Sequence, residues 1–344
     1  MKFTIRALLI IAAVAVAAVA TTTLRAEAKR SRSLKFATLA PKGSTWSVGL
    51  HEWSDAVEKG TGGAVDIRFY EGGVAGDEKD VVRKMRIGQQ HGGAFTGVGL
   101  SEFCKDIRVM DAPLLFRSYA EKDYVLKQLT PYFEKCFDEG GAVLAGWGEV
   151  GFIYIYSNEP VRAKSDLLKM KVWGWDADPL SLAYMSNAGV TPIPLPIPDV
   201  LTSLQTGLID TVYASPLAMI ALQWFTKVKY VAPEPFAIAN GGNLITKKFW
   251  KKLTPEQQKV VQKTGFELGE KLVQQLRADN ESSAATLKER GISTSESNLD
   301  GEKELRAISD KTREELAGKV YSKEVYEQVK KHLSDYRAMQ AKAK

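Results

Sequence analysis

The stretch "PIPDVLTSLQTGLIDTVYASP" (196–216) contains the local pattern that decides the fold. Its start belongs to the proline-rich run "VTPIPLPIP" (190–198), which predicts an extended strand that ends in a loop. Asp199 is a typical helix N-cap and Gly207 a typical helix stop, so a short helix is expected between them. The following "LIDTVYASP" (208–216) predicts a strand that leads to a turn. Strands that alternate with helices indicate an α/β fold.

The same alternation occurs nearer the N-terminus. Period-two patterns in "LKFATLA" (34–40) and "AVDIRFY" (64–70) predict two strands. The segment between them has an apolar stripe at helical spacing, formed by Trp46, Leu50, Trp53 and Val57. Next come a helix in "VVRKMRIG" (81–88) and a short buried strand in "GAFTGVG" (93–99) that runs into a loop. This order predicts a sheet with parallel strand pairs.

Further along the chain, strands give way to helices. "GAVLAGWGEVGFIYIYS" (141–157) predicts a long strand, and "MKVWGW" (170–175) predicts another. In "TPEQ" (254–257), a threonine, a proline and a glutamine are spaced as in a capping box at a helix start. From there the sequence is helical and charged almost to its end. Two α/β units followed by a helical third are therefore expected.

The first 28 residues resemble a secretory signal. Lys2 and Arg6 precede the apolar run "ALLIIAAVAVAAVA" (7–20), and "AEA" (26–28) provides a small-residue cleavage site. The alternative is an N-terminal membrane anchor, although the run is short for a span of about 20 residues. We expect export to the periplasm with cleavage after about Ala28.

Composition and motifs argue against several classes of function. The 344 residues carry a net charge of +6, with no basic block interleaved with aromatic residues, so nucleic acid is not an expected partner. No phosphate-binding loop, serine-hydrolase elbow or zinc-protease motif is present. The three histidines are far apart, and neither a metal nor a cofactor is expected. Cys104 and Cys136 could form a disulfide after export or stay buried thiols, and both alternatives are left open.

The stretch "KMKVWGW" (169–175) has a mixed pattern. Strand alternation puts Met170 and Val172 on one face, and Lys169, Lys171, Trp173 and Trp175 on the other. The first face is expected in the core. Because ligands of open α/β sheets bind beyond the carboxyl ends of strands, the two tryptophans are candidates for a pocket wall.

Several motifs resemble the solute-binding proteins of TRAP transporters. "LQTGLID" (204–210) is similar to that family's "ALQTGVVDG", and "APLLFRSYAE" (112–121) to its "PFLFRD". "GWGEVGFIYIYSNEPV" (146–161) and "ITKKFWKKLTPEQQKVV" (245–261) resemble its "GWWDxGFRxxTNxKPI" and "xSKxxWDxLPPEQQ". The resemblance covers about residues 33–335 in one order.

This resemblance implies a two-lobed α/β binding protein of the periplasmic class, with mixed sheets, an interlobe cleft and a long C-terminal helix that spans both lobes. One lobe is expected to comprise residues 33–152 and about 241–275, and the other 153–240 and about 276–338. Ligand would close the lobes, and the closed form would deliver it to membrane permease subunits driven by an ion gradient. No catalytic residue is expected.

One departure from the family pattern bears on the ligand. Members that bind organic acids carry "DLKGLKxR", whose arginine pairs with the ligand carboxylate. Trp173 stands at that position here, and Ile153 stands where "GFR" has its arginine. An indole offers area, stacking and one N–H donor. The expected solute is therefore apolar, aromatic or lipid-like, or an amphipathic acid whose head group is held elsewhere. The sequence is similar to an arginine-lacking branch associated with a tetratricopeptide-repeat periplasmic partner.

The expected ligand contacts come from four segments of the chain. They are the aromatic walls Trp173, Trp175, Trp147 and Phe152 and the polar residues Thr96, Tyr213 and Ser215. Two alternatives stay open. The first keeps the class but binds a small organic acid through Lys171 or another cation such as Arg68. The second is an exported enzyme on a binding-protein fold.

Overall fold

The computed structural model describes residues 31–296 and 298–342. The expected signal segment (1–28) lies outside the described residues. Within them, no helix is both long enough and apolar enough to cross a membrane.

The elements alternate as the sequence patterns predict. The strands are β1 Arg32–Thr38, β2 Val65–Tyr70, β3 Gly92–Thr96, β4 Ala142–Ser157, β5 Trp173–Trp175, β6 Ile193–Leu195, β7 Thr211–Ala214, β8 Tyr230–Val231, β9 Ala237–Thr246 and β10 Ser293–Thr294. The α-helices are α1 Thr45–Gly60, α2 Glu78–Arg86, α3 Gly97–Ser101, α4 Tyr119–Glu139, α5 Lys164–Leu167, α6 Pro179–Asn187, α7 Val200–Thr206, α8 Pro216–Ala221, α9 Lys247–Trp250, α10 Pro255–Glu289, α11 Leu299–Leu316 and α12 Lys323–Lys342. Short 3₁₀ helices span Lys105–Asp111, Ile197–Asp199 and Trp224–Lys227.

The main sheet is mixed, and strand β4 joins its two halves. Within the described residues the eight-stranded sheet has the order β10-β8-β4-β9-β3-β1-β2, with β7 also paired to β4. β1 pairs in parallel with β2 and β3, whereas β9 is antiparallel to β3 and β4. The first part of β4 pairs with β9, and its end pairs with β7 and β8. The α/β class and the mixed sheet are therefore confirmed.

Buried apolar residues form separate cores in the two halves. The first half holds two clusters, one around Phe133 and Leu244 and one around Phe36 and Trp53. The cluster of the second half includes Trp173, Tyr184 and Val212. Because the same strand β4 runs from the first half into the second, the structure has two lobes around a shared crossing strand.

Helix α10 lies across both lobes. It begins with a capping box between Thr254 and Gln257, as the "TPEQ" pattern predicts. It packs on β4 and contacts α1 of the first lobe and α8 of the second. A Cβ at Gly265 would collide with the carbonyl of Ala145, so only glycine allows this close approach of helix and strand.

Three local expectations need correction. The loop expected after β3 is the short helix α3, which starts at the side-chain cap of Thr96. Asp199 precedes α7 but makes no side-chain cap bond, because it is the last residue of a 3₁₀ turn and its backbone is already helical. The strand expected over residues 170–175 is only Trp173–Trp175, and both of its faces are buried because β5 lies inside the second core.

The two cysteines form a disulfide. Cys104 directly precedes the 3₁₀ segment Lys105–Asp111, and Cys136 lies in α4. The bond therefore fixes the start of that segment to the neighbouring helix.

Candidate functional site

Two adjoining cavities lie where the lobes meet. The first cavity has a volume of about 160 Å³, and the second cavity has one of about 120 Å³. Thr96 at the end of β3, Val150 in β4 and Ile197 in a 3₁₀ turn line both. Because these residues come from both halves of the fold, the cavities form one interlobe cleft.

The first cavity is mainly apolar. It is lined by residues of strands β1, β3, β4 and β9 and by residues of helices α1 and α8. Its apolar lining residues include Leu39, Pro41, Trp46, Leu50, Val150, Ile197, Leu222 and Leu272. The Trp46 indole Nε1 donates to the Glu149 carbonyl oxygen at 2.9 Å, which fixes this ring against the crossing strand.

The second cavity has an aromatic wall. It consists of Trp173, Trp175, Tyr213, Trp224 and Phe236. Trp173 is only 2% exposed, and its ring stacks on Tyr213 with centroids 4.6 Å apart. Its Nε1 donates to the Leu195 carbonyl oxygen at 3.0 Å. The ring orientation is therefore set by the packed interior, so the wall is formed before any solute enters.

The three expected polar contacts all line the cleft, and each already has a structural role. Thr96 lines both cavities, and its hydroxyl donates to a Glu78 carboxylate oxygen at 3.0 Å. The Tyr213 hydroxyl donates to the Ser181 hydroxyl at 2.8 Å. The Ser215 hydroxyl caps α8 by accepting from the Ala218 backbone N–H. These hydroxyl groups are fixed in place by the fold.

Two other expected contacts are placed differently. Trp147 lines the first cavity, but its ring packs against Phe133 and Phe137 in the first core. Phe152 packs on Tyr119 with ring centroids 4.6 Å apart and lines neither cavity. Its neighbour Ile153 lines the second cavity instead, because successive side chains of β4 point to opposite faces.

The cations considered for an acid ligand lie away from the cleft. Lys171 is exposed at the edge of the second lobe, and its Nζ donates to the Gly207 carbonyl oxygen at 2.9 Å. Arg68 is also exposed, and its guanidinium lies over the Tyr70 ring. Neither residue lines either cavity.

The sequence analysis missed a buried charge cluster in the second cavity. Arg108 donates to Asp111 at 2.7 Å and to Asp178 at 2.6 Å. Burial opposes the charged guanidinium, but the two carboxylates outweigh it and raise the pKa of Arg108. In the sequence, Arg108 and Asp111 stand three residues apart inside the otherwise apolar run "IRVMDAPLLF" (107–116). This pattern was the available signal for a buried ion pair. Among the described residues that line the cavities, Arg108 is the only lysine or arginine.

A second network stabilises the crossing strand. Glu149 accepts from Lys122 at 2.7 Å and from Arg277 at 2.8 Å, which joins α4, β4 and α10. Burial raises the pKa of Glu149, but these two cations outweigh it and lower that pKa overall. Arg277 also pairs with Asp123, so the charges of this network are balanced within the protein.

Asp77 connects the two lobes. Its carboxylate caps α2, and its Oδ2 accepts from the Trp175 indole Nε1 and the Ile197 backbone N–H, both at 3.0 Å. Both donors belong to the second lobe, whereas α2 belongs to the first. We call this contact the Asp77 clasp, and it links the start of α2 to Trp175 and Ile197.

No group of His, Cys, Asp and Glu residues in the described chain could hold a metal ion.

Comparisons with known proteins agree with the two-lobed architecture. Residues 36–319 match the family model DctP, described as "Bacterial extracellular solute-binding protein, family 7". A solute-binding protein of Verminephrobacter eiseniae is 26% identical, over 59% of this chain and 61% of its own length, so the aligned part spans less than two thirds of that relative. The C4-dicarboxylate-binding periplasmic protein DctP of Rhodobacter capsulatus is 22% identical over 82% of this chain and 87% of its own.

A solved structure shows the same fold. The extracytoplasmic solute receptor DctP7 of Bordetella pertussis, which binds pyroglutamic acid, superposes with a TM-score of 0.82 at 21% identity. The superposition covers 88% of this chain and all of that chain.

Proposed function

Because the chain belongs to the DctP family of bacterial extracellular solute-binding proteins, we propose that it captures a solute for a TRAP transporter. The solute enters the interlobe cleft, the lobes close on it, and the closed protein delivers it to the membrane permease subunits. The chain performs no chemistry on the solute, and product formed during incubation with a bound compound would contradict this.

The proposed solute is apolar or aromatic and carries no carboxylate into the cleft. The observation that carries this proposal is the charge of the lining, where the only cation, Arg108, is already paired with two carboxylates. A solute carboxylate enclosed there without its own cation would cost several kcal/mol. The aromatic wall of the second cavity instead offers contact area and stacking.

This proposal departs from the relatives named above, whose names specify a C4-dicarboxylate and pyroglutamic acid. Identities near 22% leave room for a different ligand on the same fold. We assign the solute contacts to Trp173, Trp175, Thr96, Tyr213 and Ser215, which all line the cleft.

The cellular setting follows from the expected signal segment. We propose that residues 1–28 direct export and are removed after about Ala28, which leaves the protein in the periplasm. Residues 33–152 with about 241–275 form one lobe, and 153–240 with about 276–338 form the other. A tetratricopeptide-repeat partner stays a prediction from the family resemblance.

Matched pairs of ligands test the solute class. Protein freed of bound solute by unfolding and refolding is titrated with acids and their amides of the same skeleton, such as indole-3-acetate with indole-3-acetamide and hexanoate with hexanamide. Isothermal titration and thermal shift are expected to show tighter binding of the uncharged member. Tighter binding of the acid members would contradict the proposal.

A further inference from the structure

Arg108 has two carboxylate partners of different origin. Asp111 lies three residues away in the same 3₁₀ segment, whose apolar neighbours pack in the first core. Asp178 lies 70 residues away in sequence and follows β5, whose tryptophans pack in the second core. The Arg108–Asp178 pair therefore joins two segments that are far apart in sequence, whereas the Arg108–Asp111 pair lies within one segment.

The pair within the first lobe is fixed by the backbone. A Cβ at Gly97 would collide with the Asp111 carboxylate and would lie 2.6 Å from the Arg108 Nη1. Asp111 Oδ1 also accepts from the Asn240 backbone N–H at 2.7 Å and from its side-chain amide at 2.9 Å. Arg108 and Asp111 therefore have fixed positions relative to each other.

In the second cavity, the Asp178 carboxylate occupies the position beside Arg108 that an anionic group of a solute would take. Both residues line the second cavity, and their side chains are 5% and 10% exposed. The Asp178 Oδ1 lies 2.6 Å from the Arg108 Nη2, which is the charge-assisted geometry that a bound carboxylate would adopt. The same oxygen accepts from the Leu180 backbone N–H at 3.0 Å and caps α6, so its position is set by the fold.

We propose that Asp178 determines the specificity of the cleft by acting as a built-in carboxylate on Arg108, which excludes acidic solutes. The inference rests on the proposed function of the cleft and adds the residue that selects against acids. With Asp178 in place, the Arg108 Nη2 already donates to a carboxylate of the protein, and the two aspartates oppose the entry of a further carboxylate. Loss of Asp178 leaves Arg108 with one carboxylate and a free donor edge.

The test is a gain of acid binding. Asp178→Ser removes the carboxylate but keeps a residue that caps helices well, and Asp178→Asn keeps the shape and removes only the charge. Isothermal titration with acetate, succinate and pyroglutamate, at constant ionic strength, is expected to show at least tenfold tighter binding to the Ser variant than to the natural protein. The Asn variant is expected to lie between the two.

Asp123→Ala is the matched control. It removes one of the two carboxylates of Arg277, an arginine that lines neither cavity, so no gain of acid binding is expected. A folded Ser variant that binds acids no better than the natural protein would overturn the inference. If the Ser variant does not fold, an Asn variant with unchanged acid affinity overturns it instead.

The two proposals fail in different ways. Tight acid binding by the natural protein would refute the proposed solute class, whatever the variants do. Weak acid binding by the natural protein together with no gain in the variants would refute only the role of Asp178.

Discussion

Glu78 is a buried carboxyl group at the edge of the first cavity. Its oxygens accept from the backbone N–H groups of Thr96 at 2.7 Å and Gly99 at 2.6 Å. Burial outweighs these donors and raises the pKa of Glu78 to about 7. Between about pH 4.5 and 7 the folded state therefore retains a proton on Glu78 that the unfolded chain has lost. Because the unfolded chain binds fewer protons, the free energy of unfolding falls as the pH rises through this range.

We expect Glu78→Gln to remove this pH dependence. Relative to the variant, the natural protein should lose on the order of 3 kcal/mol of unfolding free energy as the pH rises from about 4.5 to 7. Urea denaturation at steps of pH, followed by circular dichroism, measures both profiles. Profiles that stay parallel across this range would contradict the expectation.

The Asp77 clasp leads to a second prediction for single residues. Trp175→Phe removes the indole donor of a buried carboxylate, which should lower the free energy of unfolding by about 1–3 kcal/mol. A double-mutant cycle with Asp77→Asn isolates the contact, because the two changes are expected to be strongly non-additive. Additive losses would mean that Trp175 stabilises the protein only through packing.

At the scale of elements, the disulfide fixes the segment that carries Arg108. Cys104 immediately precedes Lys105–Asp111, and Cys136 lies in the last turns of α4. We expect Cys104→Ser with Cys136→Ser to lower the free energy of unfolding by about 2–4 kcal/mol, since the cross-link restricts the unfolded chain. Urea unfolding of the natural protein with and without dithiothreitol checks this, and coincident curves would argue against it.

Short-range patterns in the sequence were sufficient to predict most helices and strands. The alternation in β1 and β2, the apolar stripe of α1 and the capping box of α10 each involve residues close in sequence. The expected strand over 170–175 was too long because its pairing depends on β6, which lies later in the chain and forms ladder pairs only with Trp173–Trp175. Local periodicity carries no information on such a partner.

The candidate site could be predicted only in part for the same reason. Trp173, Trp175, Thr96, Tyr213 and Ser215 line the cleft, because strand ends gather at the lobe interface. The contact between Arg108 and Asp178 could not be inferred, since the two residues are 70 positions apart in sequence. Likewise, the Lys171 side chain is directed by the nearby Gly207 carbonyl, and its position in sequence next to Trp173 does not bring it to the cleft.

At the scale of the whole molecule, the lobes share β4, β9 and α10. The pairing of β4 with β9 is irregular between Glu149 and Gly151, and Gly151 has a φ of +106°, a conformation that favours glycine. This irregularity lies where β4 leaves the first lobe, beside the cleft. Two further contacts between separate segments lie near the cleft, from Asp77 to Trp175 and from Arg108 to Asp178.

The central claim is that this closed cleft holds a solute without a carboxylate. Native mass spectrometry tests it most directly, on protein exported by its own signal segment and purified from periplasm without unfolding, with the released compound identified by its mass and charge. We expect a co-purified apolar or aromatic compound that is uncharged at neutral pH. Release of a sugar acid, a dicarboxylate or another small carboxylic acid would contradict it.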